Sequence, residues 1–245
     1  MAQASTSFGS IADLILYVPT YMTPTATRQI QFEQAILAAT RPINGQLPRP
    51  WMTDLADPLC ADVFIVGRNP ARTYDASLLG HERHVDALFN RNGQSCRRLY
   101  NELSEPSPTR RNIDLLRGLL HKAGVDQVLE TNVICYSSPM SSDLTEPEHT
   151  GGRDAGLAVF RLLLQSVRPR VLIAHGAGTV SDLAKVVGTA LPAPRKRPGT
   201  PPSGSVDGMT IITLPSLAPP AWNGWQNWAG SHLEETAALA AAALR

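Results

Sequence analysis

Cysteine is scarce in this chain and nowhere paired. The three cysteines among 245 residues, Cys60, Cys96 and Cys135, lie far apart with no Cys-x-x-Cys. An odd count at such spacing argues against a disulfide framework or a zinc site and reads as free thiols in a reducing compartment. An excess of one charge is also lacking. Lys and Arg number 22 against 21 Asp and Glu, so the overall field favours no class of partner. Positive charge that meets a polyanion must then be local, and it gathers at Arg68/Arg72, Arg91/Arg97/Arg98, Arg110/Arg111 and Arg195-Lys196-Arg197. No apolar run is long enough to span a bilayer, so no membrane partner is expected. Met1–Tyr21 carries no basic segment ahead of its short apolar patch, Ile11–Val18. No signal peptide is therefore expected, and the cytoplasm is the expected compartment. No internal repeat is found.

What is present is a substantial apolar fraction, 43%, enough for a real core. The length suits one α/β domain over residues 1–245, with an N-terminal extension and helix in 1–50. Thr27 is a candidate N-cap for that helix, with Ile30, Ile36 and Leu37 on its inner face. Four apolar, β-branched runs read as buried strands, at 62–66, 128–134, 170–174 and 209–213. Helices are expected between and after them, at 112–123, 153–167, 180–189 and 226–245, and one within 86–103 after a loop. Gly124 is a plausible helix-closing residue. A basic, proline-rich loop is expected at 192–206. Strands alternating with helices predict a three-layer α/β/α sandwich around a central four-stranded, mainly parallel sheet.

Each strand ends in residues of pointed chemistry. The first, "ADVFIVGRNPART", runs into Gly67-Arg68-Asn69-Pro70-Ala71; the second carries Thr131-Asn132; the third ends in His175-Gly176; the fourth in Leu214-Pro215-Ser216. In an open parallel sheet the carboxyl ends of the strands form the ligand-binding crevice. Five segments in order, "VGRNPA", "LFNRNGQSCRRLYNEL", "VLETNVICYSSP", "RPRVLIAHGAGTVSDL" and "GSVDGMTIITLPS", resemble the motifs of the uracil-DNA glycosylase superfamily. The likeness runs from about Ala61 to Trp222, about two-thirds of the chain, and in motif order is nearest to the thermostable bacterial and archaeal branch.

The resemblance implies a base-flipping enzyme that hydrolyses the N-glycosidic bond of uracil in DNA, leaves an abasic site and acts as a monomer. By position, Gly67, Arg68, Pro70 and Ala71 would bound the base pocket. Phe89 would stack on the flipped base, an interaction of about 1–3 kcal/mol. Asn132 would read the uracil edge, since an amide offers both a donor and an acceptor. Asn69 stands where the superfamily positions its water, as Asp in the most active branch and Asn in the mismatch-specific one. An amide orients a water but cannot deprotonate it, and general-base help is worth about 10²–10⁴-fold. Ser216 and Leu217 would lie on the DNA-facing turn, Leu217 as the wedge that fills the gap left by the base. Arg195, Lys196 and Arg197 would grip phosphates, or else lie on a solvated loop.

The chain departs from the family pattern at three places. Leu214 stands where most branches have a His that hydrogen-bonds the departing base, a loss of about 10²–10³-fold for one preorganised donor; His175 is the candidate substitute. Ala71 replaces a bulky Tyr that excludes thymine's methyl group in the most selective branch, so deaminated bases other than uracil are expected to fit. Cys135 matches one ligand of the thermostable branch's iron–sulfur cluster, but no cysteine stands at the other ligand positions. One thiolate cannot hold such a cluster, so no cofactor or metal is expected. Trp222, Trp225 and Trp228 fall at helical spacing, a core stripe sooner than a DNA platform. Two other functions remain open: a reader that flips and holds a modified base without cutting it, and a small-molecule hydrolase using "HGAGT" as an anion loop.

Overall fold

A computed structural model describes residues 24–245; the patch at Ile11–Val18 and the signal-peptide reading lie outside the described residues. The chain runs α1 (Pro24–Ala39), β1 (Val63–Gly67), α2 (Ala76–Leu79), α3 (His81–Leu88), α4 (Cys96–Leu103), α5 (Pro108–Lys122) and β2 (Val128–Asn132). It continues with α6 (Gly152–Val167), β3 (Val171–His175), α7 (Ala177–Val187), β4 (Ser203–Val206), β5 (Met209–Leu214) and α8 (Gln226–Ala243). Among the described residues no helix is long and apolar enough to cross a membrane.

The sheet order is β2-β1-β3-β5-β4. The first four strands are parallel, and β4 pairs antiparallel with β5. Side-chain alternation splits the strands between two cores. Phe64, Val66, Leu129, Leu172 and Ala174 pack with α1, α3 and α6 on one face. Val63, Ile65, Val128, Val171 and Ile173 pack with α5 and α8 on the other. The α/β/α sandwich is as expected, but the sheet has five strands where four were expected.

The extra strand lies in the stretch expected to be a proline-rich loop. "SGSV" has little strand propensity, which hid it. The hairpin signal was nonetheless present in Asp207-Gly208, both at positive φ (49° and 79°), as a tight two-residue turn requires. Three helix starts also shift: α7 begins at Ala177, three residues before the expected Val180. Ser107 caps α5 by accepting from Arg110 N, with Pro108 in the first turn, so that helix begins four residues before the expected Asn112. In α1, Thr27 is inside the helix, and the buried pair is Phe32 and Ile36, four apart on one face; Leu37 is 46% exposed.

One close approach fixes the layer that carries the site. A Cβ on Gly156 of α6 would lie 2.9 Å from the backbone nitrogens of Cys135 and Tyr136. The absence of a side chain there lets α6 press against the segment that leaves β2.

Candidate functional site

The chain leaves β1 to one side for β2 and comes back to the other side for β3. The crevice of an open α/β sheet forms at that switch, outside the strands' carboxyl ends. A cleft of about 570 Å³ lies there. It is lined by Gly67, Arg68, Asn69, Pro70, Ala71, Asn132, His175 and Ser216 of the expected set, and by Arg49, Met52, Arg72, Tyr100, Arg110, Ile113, Ser138 and Ser141, which were not expected. A smaller recess of about 70 Å³ opens below it, sharing Gly67, Asn132, His175 and Arg110 and adding Trp51, Glu130 and Thr131.

Gly67 ends β1 directly between two functional groups. A Cβ there would stand 2.6 Å from Asn132 Oδ1 and 3.3 Å from His175 Nε2. The bare backbone of β1 thus lets the ends of β2 and β3 bring an amide and an imidazole together. Asn132 is half-buried, and within the described residues no hydrogen bond to its carboxamide is seen. Its backbone oxygen accepts from Cys135 Sγ at 3.2 Å.

His175 is 8% exposed. Burial, and behind it the charge of Arg110, push its pKa down to about 4, so the ring is neutral near pH 7. Leu217 N donates to Nδ1 at 3.4 Å. That bond leaves the single ring proton on Nε2, the nitrogen beside Gly67. The site therefore holds a neutral N–H donor aimed at the cleft floor. His84 is similarly depressed to about 4 by burial. For both groups the folded state binds the proton more weakly than the unfolded chain at 6.5. Unfolding therefore takes up protons between about pH 6.5 and 4, and stability falls as pH is lowered through that window. Denaturant midpoints measured across it should fall, and a flat profile would contradict the neutral assignment.

Asn69 sits at the cleft with both ends of its amide engaged. Nδ2 lies 3.0 Å from Ser138 Oγ, 3.2 Å from Ser138 O and 3.3 Å from Pro70 O, and Oδ1 accepts from Ser141 Oγ at 2.6 Å. A carboxylate here would set an oxygen against two carbonyls. Asn69→Asp, which as a general base alone would gain about 10²–10⁴-fold, is therefore expected to slow any reaction and to destabilise the fold by about 1–3 kcal/mol. Single-turnover rates and unfolding midpoints test this; a faster variant of unchanged stability would show that the Ser138 contacts are dispensable.

The cleft wall is basic. Arg49 Cζ lies 4.2 Å from the centre of the Tyr74 ring, and Arg49 Nη1 donates to Arg72 O at 3.0 Å. Arg68 bonds Asp182 at 2.8 Å, and Arg153 bonds the same carboxyl at 2.9 Å. Burial pushes that carboxyl up, but the two arginines outweigh it and hold it below its ordinary value. Arg68 is thereby fixed against α7, where Gly178 leaves room for it.

Seven expected site residues lie elsewhere. Phe89 is 7% exposed and packs edge-on to Trp51 and Phe32 in the core, so it does not line the cleft. Leu214 is fully buried on the α8 face. Leu217 is not at the surface as a wedge: it is 0% exposed, because Trp225 Nε1 bonds Ser216 O and Asn112 Nδ2 bonds Leu217 O, turning the segment inward. Ala218 and Pro219 line the cleft in its place. Pro215 is half-buried and shapes that turn without lining the cleft. Arg195, Lys196 and Arg197 are exposed but form no part of the cleft. Trp222, Trp225 and Trp228 form a ring cluster with His232 on the α8 face, as a core stripe would.

Cys135 does not fit a cluster ligand. Its buried thiol donates to the Asn132 carbonyl, and burial pushes its pKa up to about 12. Among the described residues no group of three or more His, Cys, Asp or Glu could hold a metal ion. Sequence reasoning missed Glu130, although a lone carboxylate inside the apolar run "QVLETNVIC" is itself a signal, because a buried acid requires a cation. No protein-family model matches the chain, and no curated protein matches it.

Proposed function

We propose that the protein is a monofunctional DNA glycosylase that flips uracil out of DNA and hydrolyses its N-glycosidic bond, leaving an abasic site. The observation that carries this reading is the pairing across Gly67 of an Asn132 amide that has no hydrogen bond among the described residues with the neutral Nε2–H donor of His175. An imide base edge offers one N–H and two carbonyl oxygens. Asn132 complements the N–H and one oxygen, and His175 Nε2–H the other.

In the reaction the C1′–N1 bond breaks and its electron pair stays on the base. A water held by the free lone pair of Asn69 Oδ1 adds to C1′. The proton that the water loses passes to solvent or to the departing base, so charge balances. Negative charge grows on the base oxygen that faces His175, where a preorganised donor contributes most. Arg49 and Arg72 at the rim face the phosphates on either side of the flipped nucleotide. Ala71 leaves open space where a larger side chain would reject other deaminated bases. The enzyme acts as a monomer in the cytoplasm.

A second reading keeps the pocket but not the cleavage. With Asn69 bonded at both ends and Leu214 withdrawn into the core, the site could hold a modified base without cutting it. Incubation with single- and double-stranded uracil oligonucleotides, followed by alkali, separates the two. Strand breaks that disappear in both Asn69→Ala and Asn132→Ala support the glycosylase. Tight binding without breaks selects the reader. Neither binding nor breaks contradicts both.

A further inference from the structure

Beneath the cleft lies a buried ionic group that the proposed chemistry has not yet used. Glu130 is a carboxylate within the otherwise apolar start of β2, opposite Ile65 of β1. Its carboxylate is 7% exposed and contacts Arg110, with Arg97 at 3.3 Å and Arg117 at 3.5 Å on its other oxygen. Arg110 is itself 8% exposed and lines the recess beside Asn132 and His175.

The guanidinium of Arg110 is poorly satisfied for a buried cation. Nη1 lies 3.0 Å from the thioether sulfur of Met52, a weak acceptor. Nε has no hydrogen-bond partner among the described residues, the nearest carboxylate being Asp114 at 3.6 Å. Nε is enclosed by protein, but Arg110 lines the recess with Nη1 held only by a thioether, and a cation so placed is suited to an incoming acceptor. Departure of a base from C1′ supplies one, because the ring oxygens take up negative charge as the bond breaks.

Resting on the glycosylase reading, we propose that Arg110, oriented by Glu130, is a catalytic cation that stabilises the departing base anion together with His175, and that the substrates are bases that leave as resonance-stabilised imide or lactam anions. Glu130 is a positioning residue: it fixes the guanidinium but stands behind it. A fixed positive charge at the recess acts on the transition state more than on the neutral bound base, because charge on the base exists only once the bond has stretched.

The test compares two leaving groups in single-turnover release, uracil and the more acidic 5-fluorouracil, each in the same oligonucleotide. Arg110→Met leaves Glu130 with Arg97 and Arg117, so one carboxylate is not stranded. Uracil release should fall about 100-fold, while 5-fluorouracil, which needs less help to leave, should fall about 10-fold or less. Arg110→Lys keeps a charge and should bring the uracil-to-fluorouracil ratio back toward the wild-type value; Arg110→Gln also removes the charge, should shift the ratio as the Met variant does, and carries the test if that variant fails to fold. Equal losses on both substrates, which leave the ratio unmoved, in the charge-removing variants would overturn the assignment of Arg110 while leaving the glycosylase intact. A wild-type protein that releases neither base would overturn the glycosylase reading and this inference with it.

Discussion

Asn132→Ala is expected to cut uracil release from DNA about a thousandfold while the thermal midpoint stays nearly unchanged. Both halves of that result follow from the same feature. The amide makes no hydrogen bond within the described residues, so removing it strands no partner in the free protein. Its oxygen and nitrogen are held at the end of β2 for a ligand, and truncation leaves the base N–H and a carbonyl unpaired inside the pocket. Release rates under single turnover and calorimetric unfolding of the same preparation check it. Wild-type release by the variant would remove Asn132 from the site, and a large fall in midpoint would make its role structural.

Gly67→Ala is expected to be nearly as damaging, for a steric reason. The added carbon would sit 2.6 Å from Asn132 Oδ1 and 3.3 Å from His175 Nε2. The backbone of Gly67 is ordinary strand, so the cost is not conformational. It comes from pushing apart the two groups that meet there. Overpacking of this kind costs about 1–3 kcal/mol of stability, and displacement of both groups should lower release about 10²–10³-fold. Denaturant titration and release rates measure the two effects. An active, stable variant would mean that the amide and the imidazole do not meet at this glycine.

The strand ends were the most legible part of the chain. Four apolar, β-branched runs could hardly be anything but buried parallel strands, and their carboxyl ends had to converge. The sequence alone therefore brings Gly67, Asn69, Asn132 and His175 together. The edge strand Ser203–Val206 was hidden because its residues are poor strand formers and only the Asp207-Gly208 turn betrays it. Phe89 and Leu217 were misplaced for a different reason. Local pattern does not say which way a turn faces, and here Trp51 and Trp225 decide it through long-range packing and hydrogen bonds. Arg49 was invisible as a site residue and Arg110 stood out only as part of a basic pair, because each comes from a segment remote in sequence from the strand ends. The pairing of Met52 with Glu130 across the edge of β2, the bond from Arg49 N to Cys135 O at 2.7 Å and that from Thr131 Oγ1 to Pro50 O bring the Arg49 segment alongside.

The central claim is that a base leaves and the strand stays whole. The intact mass of a uracil-containing oligonucleotide, recorded after incubation and without alkali, tests it directly. The expected result is a strand lighter by the difference between uracil and water, uncut, with free uracil in solution and no such product from Asn132→Ala. A strand of unchanged mass under conditions where the protein is folded and binds the oligonucleotide would contradict it.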